Sequence, residues 1–357
     1  MDSQALREEA IGLLKDLIKT PSLSKEEDKT AELLFQFLEA KGIVSQRSGN
    51  NVYTKNASYN PELETILLNS HHDTVKPNAG YTRDPYAPQV EDGKLYGLGS
   101  NDAGASLVSL IACFLHFYQE DLPFNLVLAC TAEEENSGKG GVESILGELG
   151  PLHYGIVGEP TEMKMAVAEK GLMVLDCTAY GQSGHAARDI GKNAIYEAVK
   201  DIEKIRKISF GQESALLGPV KLSVTQINAG YQHNVIPDRC HYVVDVRTTD
   251  THTNEEVLDL VKSSIGSEVK ARSTRLRPSK MPEDTPIFEV SQALDIEIFG
   301  SATTSDQAVI PIPTIKMGPG RSERSHTPDE FIFLHEIEQG ITGYVAFIET
   351  LKSIYQA

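Results

Sequence analysis

The stretch that most constrains this chain is Phe124–Gly138, which reads FNLVLACTAEEENSG. Its first half, Leu126-Val127-Leu128-Ala129-Cys130, is an apolar run too short for an ordinary helix and suited to a buried strand. It gives way at once to Thr131-Ala132-Glu133-Glu134-Glu135. Three adjacent carboxylates repel one another, so either solvent or a cation must make the cluster tolerable. In an open α/β sheet, ligands bind beyond the carboxyl ends of the strands, and this cluster falls there. On this stretch alone an acidic loop, or a helix start favoured by the helix dipole, is the alternative.

The same grammar recurs along the chain. Thr65-Ile66-Leu67-Leu68-Asn69 reads as a strand and runs into Ser70-His71-His72-Asp73. A ligating histidine commonly gives its second ring nitrogen to a carboxylate, and Asp73 could play that part for His71; two solvent-facing histidines are the alternative. Tyr154–Gly158 is another short strand and ends in Glu159-Pro160-Thr161. Gly97-Leu98-Gly99-Ser100-Asn101-Asp102 is a turn whose glycines allow close backbone approach, before a helical segment, Ala103–Phe117. Asp102 reads there as an N-cap or as a ligand. Near the C-terminus, Pro313–Met317 reads as a strand, Ser325-His326-Thr327-Pro328-Asp329-Glu330 follows, and a closing helix fills Leu334–Tyr355. At the other end, Leu6–Ile18 and Ala31–Leu38 carry helical stripes, the second with Gly42 where a C-terminal cap belongs.

Composition narrows the function. A net charge of -18 over 357 residues leaves no basic stripe to neutralise phosphates, which argues against nucleic acid or an anionic membrane as partner. The longest apolar run, about Leu107–Phe117, is too short to span a bilayer. Cys113, Cys130, Cys177 and Cys240 form no CxxC pair and sit in or beside apolar runs, as buried thiols of a reducing compartment do. The opening MDSQALREEA has neither a basic nor an apolar signal region, so a cytoplasmic protein is expected. The residues at the strand ends then add up: His71, Asp102, Glu135, Glu159 and His326 suit zinc or a similar divalent ion, and a shared carboxylate suits a pair of them. Glu134 is left over beside Glu135, where hydrolysis needs a general base.

At these residues the chain resembles the M20 family of metallopeptidases and deacylases. The five motifs around His71, Asp102, Glu134, Glu159 and His326 occur in the family's order and cover nearly the whole chain. The resemblance implies two divalent metal ions, zinc or cobalt in its place. Asp102 would bridge them, with His71 and Glu159 on one and Glu135 and His326 on the other. Glu134 would be the base and Asp73 would orient His71. The segment Gly181–Arg188 looks like the family's lid motif, in which His185 helps hold the oxyanion in the partner subunit's site. Asn234 and Arg247 look like its contacts to the substrate carboxylate; a turn before Pro237 and a surface ion pair are the alternatives for these two.

The implied fold is α/β: a zinc-peptidase-like catalytic domain with a central mixed sheet flanked by helices, and an inserted α+β lid and dimerisation domain. Residues 1–163 and 280–357 would form the first and 164–279 the second, where the longer strands Gly171–Ala179 and Val220–Ile227 alternate with helices near Asn193–Lys207 and Asn254–Ser264. Within the family the chain looks most like the acetylornithine deacetylase and succinyl-diaminopimelate desuccinylase branch. The expected reaction is hydrolysis of an N-acyl amide beside an α-carboxylate, first of all on acetylornithine in arginine biosynthesis, by a homodimer joined through the inserted domain. A desuccinylase, a dipeptidase and a non-catalytic binding homologue are the alternatives. Asp189 replaces a usual Pro and Glu133 a usual Asp, and the loop Asn136–Gly141 departs from the pattern, so the lid and that loop are expected to differ in detail.

Overall fold

The computed structural model describes residues 3–188 and 190–357; Asp189 lies outside them. The chain divides into two compact units, one made of Met1–Val167, Met281–Phe299 and Ser305–Ala357, the other of Ala168–Lys280 and Gly300–Thr304. The short return at Gly300–Thr304 has no local signal in the sequence.

In the first unit the apolar runs become the middle of a mixed sheet. Thr65–His71 lies parallel between Asn125–Thr131 and Tyr154–Gly158, and Thr314–Met317 runs parallel to the latter. Asn51–Lys55 runs antiparallel to Asn125–Thr131 on its other side, and Ser45–Ser48 forms the edge beyond it. Both central strands are buried at every residue, because both faces of the sheet are covered. Ile66, Leu68, Leu126 and Leu128 pack against Leu14 of the helix Ser3–Lys19, Leu107 and Phe114 of Ala105–Phe117 and Phe347 of Leu334–Gln356. Leu67, Val127 and Ala129 point the other way, onto Val142, Ile145 and Leu149 of the helix Val142–Leu149. Alternation along the strand sends successive side chains to opposite layers. Each fully buried Leu or Ile contributes roughly 1.5–3 kcal/mol, so the strand register, and with it the position of each strand end, is strongly held.

The helix after the Gly-rich turn starts at Ala105, not at Ala103, and no side chain caps it. Asp102 is therefore not an N-cap. Gly99 adopts φ +75°, and a Cβ on Gly104 would meet the Gly99 carbonyl oxygen at 2.4 Å, so the turn is packed backbone against backbone. A small antiparallel sheet of Gln89–Glu91, Lys94–Tyr96 and Phe331–Phe333 flanks this turn.

The second unit is an antiparallel sheet in the order Lys221–Ala229, Arg239–Thr248, Gly171–Tyr180, Glu268–Ala271. Gly171–Tyr180 alternates buried and half-buried residues, the mark of a sheet covered on one face. Met173, Leu175, Cys177, Tyr242 and Val244 pack under Ala194, Ala198 and Ile205 of the helix Ala194–Ile205 and Val257 and Val261 of Asn254–Ser264. The expected α/β catalytic fold with an inserted α+β domain is what the chain adopts. All four cysteines are free and buried, and among the described residues no helix is long and apolar enough to cross a membrane.

Candidate metal centre and active site

His71 is the last residue of its strand and only 1% exposed. Its Nδ1 lies 3.0 Å from the Asp73 carbonyl oxygen and 3.3 Å from the Asp73 carboxylate. Both are acceptors, so Nδ1 carries a hydrogen, which leaves Nε2 as the ring nitrogen available to a metal. That Nε2 is buried with no hydrogen-bond partner. It points between Asp102 Oδ1 at 3.4 Å and Glu159 Oε1 at 3.7 Å. His72 is buried as well, its Nε2 donating to the Asn50 carbonyl at 2.8 Å, so the reading of two solvent-facing histidines falls.

The other oxygen of Asp102 faces a second group. Asp102 Oδ2 lies 3.7 Å from His326 Nε2, which in turn is 2.9 Å from Glu135 Oε2. Two donor triads result, His71–Asp102–Glu159 and Asp102–Glu135–His326, each with ligand atoms within 4.8 Å of one another. Asp102 belongs to both and Glu134 to neither. The five predicted ligands, Glu134 and Asp73 thus come together in the first unit.

The charges show what this cluster lacks. Burial and the neighbouring Asp102 charge push Glu159 up to about 8. Burial drives Glu134 well above the carboxylate range, and Glu159, Asp306 and Glu135 add to it against the His71 ring. Burial likewise raises Glu135, and the His326 bond only partly offsets this. His326 rises to about 9, chiefly through its bond to Glu135. A half-buried set of repelling carboxylates beside an imidazole nitrogen without a hydrogen-bond partner fits divalent cations, whose charge and coordination satisfy both.

Side chains from distant segments hold the acidic loop by its backbone. Ala132 N–H donates to Asn51 Oδ1 at 3.0 Å, Glu133 N–H to Glu27 at 3.3 Å, and Glu134 and Glu135 N–H to the two oxygens of Asp73 at 3.1 and 3.2 Å. Asp73 therefore fixes the His71 tautomer and the loop that carries Glu134 and Glu135. Its own carboxyl is held low: burial would raise it, and the bonds to His71 and Ser24 more than compensate. Glu133 points away from the centre, accepting from Gly140 N–H at 3.2 Å, so Asn136–Gly141 wraps around its side chain. Glu27, Asn51 and Asp306 escape sequence reasoning, and Glu330, which closes the motif around His326, has no role assigned to it there. Each reads locally as a turn or surface polar residue, and only its burial in the fold marks it.

The remaining predicted residues lie in the second unit. His185 and Asn234 meet on a two-stranded ribbon, where Gly184–His185 pairs with Val235–Ile236 and Ala186 N–H donates to the Asn234 carbonyl at 3.0 Å. Both side chains are exposed. Arg247 is half-buried and donates to Asp245 at 2.9 and 3.3 Å and to Thr304 Oγ1 at 3.4 Å.

Fold and site together define a metal-dependent amide hydrolase. Residues 67–350 match the sequence profile of peptidase family M20/M25/M40, and the chain belongs to that family. It is 28% identical to a succinyl-diaminopimelate desuccinylase of Cereibacter sphaeroides, over 97% of this chain and 96% of the relative. It is equally 28% identical to an acetylornithine deacetylase of Proteus mirabilis, over 92% and 93% of the two chains. Among solved structures, the aminopeptidase PepT of Bacillus cereus superposes with a TM-score of 0.79 at 19% identity, covering 97% of this chain and 98% of that one. The Bacillus subtilis YXEP protein, described as a dinuclear metal binding peptidase of the M20 family, superposes at 0.73 with 16% identity and 99% of both chains.

Proposed function

We propose that this enzyme removes the acyl group from an N-acyl amino acid that carries a free α-carboxylate. The observation that carries the reading is the division of labour around Asp102: its two oxygens face two triads, while half-buried Glu134 beside them belongs to neither. His71, Asp102 and Glu159 would hold one zinc ion, and Asp102, Glu135 and His326 the other; cobalt would serve in place of zinc. Bound there, two such ions lower the pKa of water and polarise an acyl carbonyl. Glu134 takes the proton from the attacking water and delivers it to the leaving amine nitrogen. His185 donates to the oxyanion, and Asn234 and Arg247 grip the α-carboxylate, Arg247 through two parallel hydrogen bonds.

Acetylornithine stands first among the substrates, which would place the enzyme in arginine biosynthesis. Succinyl-diaminopimelate stands second, favoured by the desuccinylase likeness over nearly the full length of both chains. Rates on acetylornithine, acetylcitrulline, succinylornithine, succinyl-diaminopimelate and simple dipeptides, measured on the zinc-loaded enzyme, test this. A kcat/KM for acetylornithine below that for succinyl-diaminopimelate reverses the order, and no turnover of any of them with both ions bound overturns the reading.

The second unit would serve as lid and dimerisation domain. Lys221–Ala229 is an edge of its sheet, and Ile227 (50% exposed) and Tyr231 (79%) stand out beside it, so a second copy pairing there would cover both the edge and its apolar residues. The free, buried cysteines support a reducing cytoplasmic setting.

A further inference from the structure

We infer that Glu330 is a positioning residue for the metal centre: its buried carboxylate holds the backbone of the Gly99–Asp102 turn so that one aspartate faces both triads. Glu330 is 2% exposed. Its Oε2 accepts from Gly99 N–H at 3.0 Å, and its Oε1 from Asn101 N–H at 2.8 Å and Asp102 N–H at 2.9 Å. The helix begins only at Ala105, so it offers these three N–H groups no partner. Without Glu330 they would be buried and unpaired, each at a cost comparable to a lost hydrogen bond. Three backbone N–H groups gathered by the two oxygens of one buried carboxyl group suit a turn that must not yield when a cation pulls on Asp102.

The fold delivers this carboxylate from across the chain. Phe331 pairs with Tyr96, and Gly97 N–H donates to the Glu330 carbonyl at 3.0 Å, which seats the Glu330 side chain against the turn. The turn answers in kind: Asn101 Nδ2 donates to the Arg321 carbonyl, and Asn101 Oδ1 accepts from Arg321 N–H, both at 3.0 Å. Segments 99–102 and 321–330 therefore brace each other, and they carry Asp102 and His326, two of the three members of the second triad. The inference rests on the proposed metal centre and assigns Glu330 no contact with metal or substrate.

The test is zinc affinity of the chelator-stripped full chain, by competition with a chromophoric chelator, together with the visible spectrum of the cobalt form. Wild type should take up two ions; if it takes up none, the centre itself is misread, whatever Glu330 does. In Glu330→Gln the amide group meets an N–H where an oxygen stood. Zinc affinity should fall about 10–100-fold, the usual effect of removing a group that orients a ligand, and the cobalt spectrum should change. The kcat should fall with KM unchanged. Phe347→Leu, in the core of the closing helix, supplies the comparison, since it lowers the melting temperature without touching the turn. Wild-type zinc affinity in Glu330→Gln, or an equal loss in Phe347→Leu, overturns the inference. If Glu330→Gln does not fold, Glu330→Asp keeps the charge but withdraws it by one carbon and should show the same loss of affinity. If neither folds without metal, Glu330 is a folding residue and the inference falls.

Discussion

His71 and His185 belong to the same proposed reaction scheme but live in opposite settings. His71 ends a strand buried at every residue, is 1% exposed, and has its ring nitrogens fixed by Asp73 on one side and aimed at carboxylates on the other. His185 ends a two-residue strand and is exposed, and its Nδ1 accepts from Ala187 N–H at 3.1 Å. Asn234 is exposed on the paired strand. The difference matches what each group must do. A cation needs donors held in advance, because every ångström of adjustment weakens coordination, and burial of strand and loop supplies that rigidity. A group that meets a substrate on arrival and releases a product belongs on a lightly held segment, where local motion costs little.

The largest expected effect probes the rigid side. Glu134→Ala should lower kcat by about 10²–10⁴-fold, the range for loss of a general base, and keep its full metal content, whereas Glu135→Ala should lose metal too. Elemental analysis showing Glu134→Ala as depleted as Glu135→Ala would erase the distinction between base and ligand. On the other side of the comparison, Arg247→Ala should cost about 2–5 kcal/mol in kcat/KM for substrates with a free α-carboxylate, as for one partner removed from a hydrogen-bonded charge pair. It should hardly change turnover of the corresponding carboxamide. Equal losses on both would make Arg247 a structural partner of Asp245.

Asp73→Asn sharpens the contrast within the buried side. It keeps the shape but disturbs both the His71 tautomer and the clamp on the Glu134 and Glu135 N–H groups. Metal affinity or activity should drop about 10–100-fold, read by zinc competition and steady-state rates; an unchanged affinity and rate would mean the loop is held without it. The smallest effect tests whether the exposed side works across two chains. His185→Ala and Glu134→Ala should each be inactive as homodimers. A mixed dimer of the two, isolated with different tags, should regain up to about half the wild-type rate, since one of its two sites would be intact. A mixed dimer as inactive as its parents would place His185 in its own chain's site.

The proposed ligand set was legible because its residues follow strand ends and a Gly-rich turn. Apolar runs such as Leu126–Cys130 and Ile66–Leu68 announce their strands by length and hydrophobicity, and the first polar residues after them had to lie at the carboxyl edge of the sheet. The strand reaches two residues further than its apolar core suggested, to His71 itself, because Ser70 and His71 still pair with Cys130 and Thr131 of the neighbouring strand. Local grammar also placed the helix Asn254–Ser264, whose Thr253 and Glu256 form a capping box.

What only the tertiary structure decided are the contacts that join distant segments at atomic distance. Glu27 and Asn51 carry no periodicity and no motif, and Glu330 only closes the motif around His326, yet each accepts backbone N–H from a loop far away in sequence. The choice for Asp102 between helix cap and residue shared by two triads, open in its local sequence, is of the same kind: it depends on where the turn is braced, not on the residues beside it. Periodicity and strand-end position are properties of neighbours along the chain, so the sequence determines them alone. A buried carboxylate facing unpaired amides is a property of closure, because burial and hydrogen-bond geometry exist only once the layers have packed.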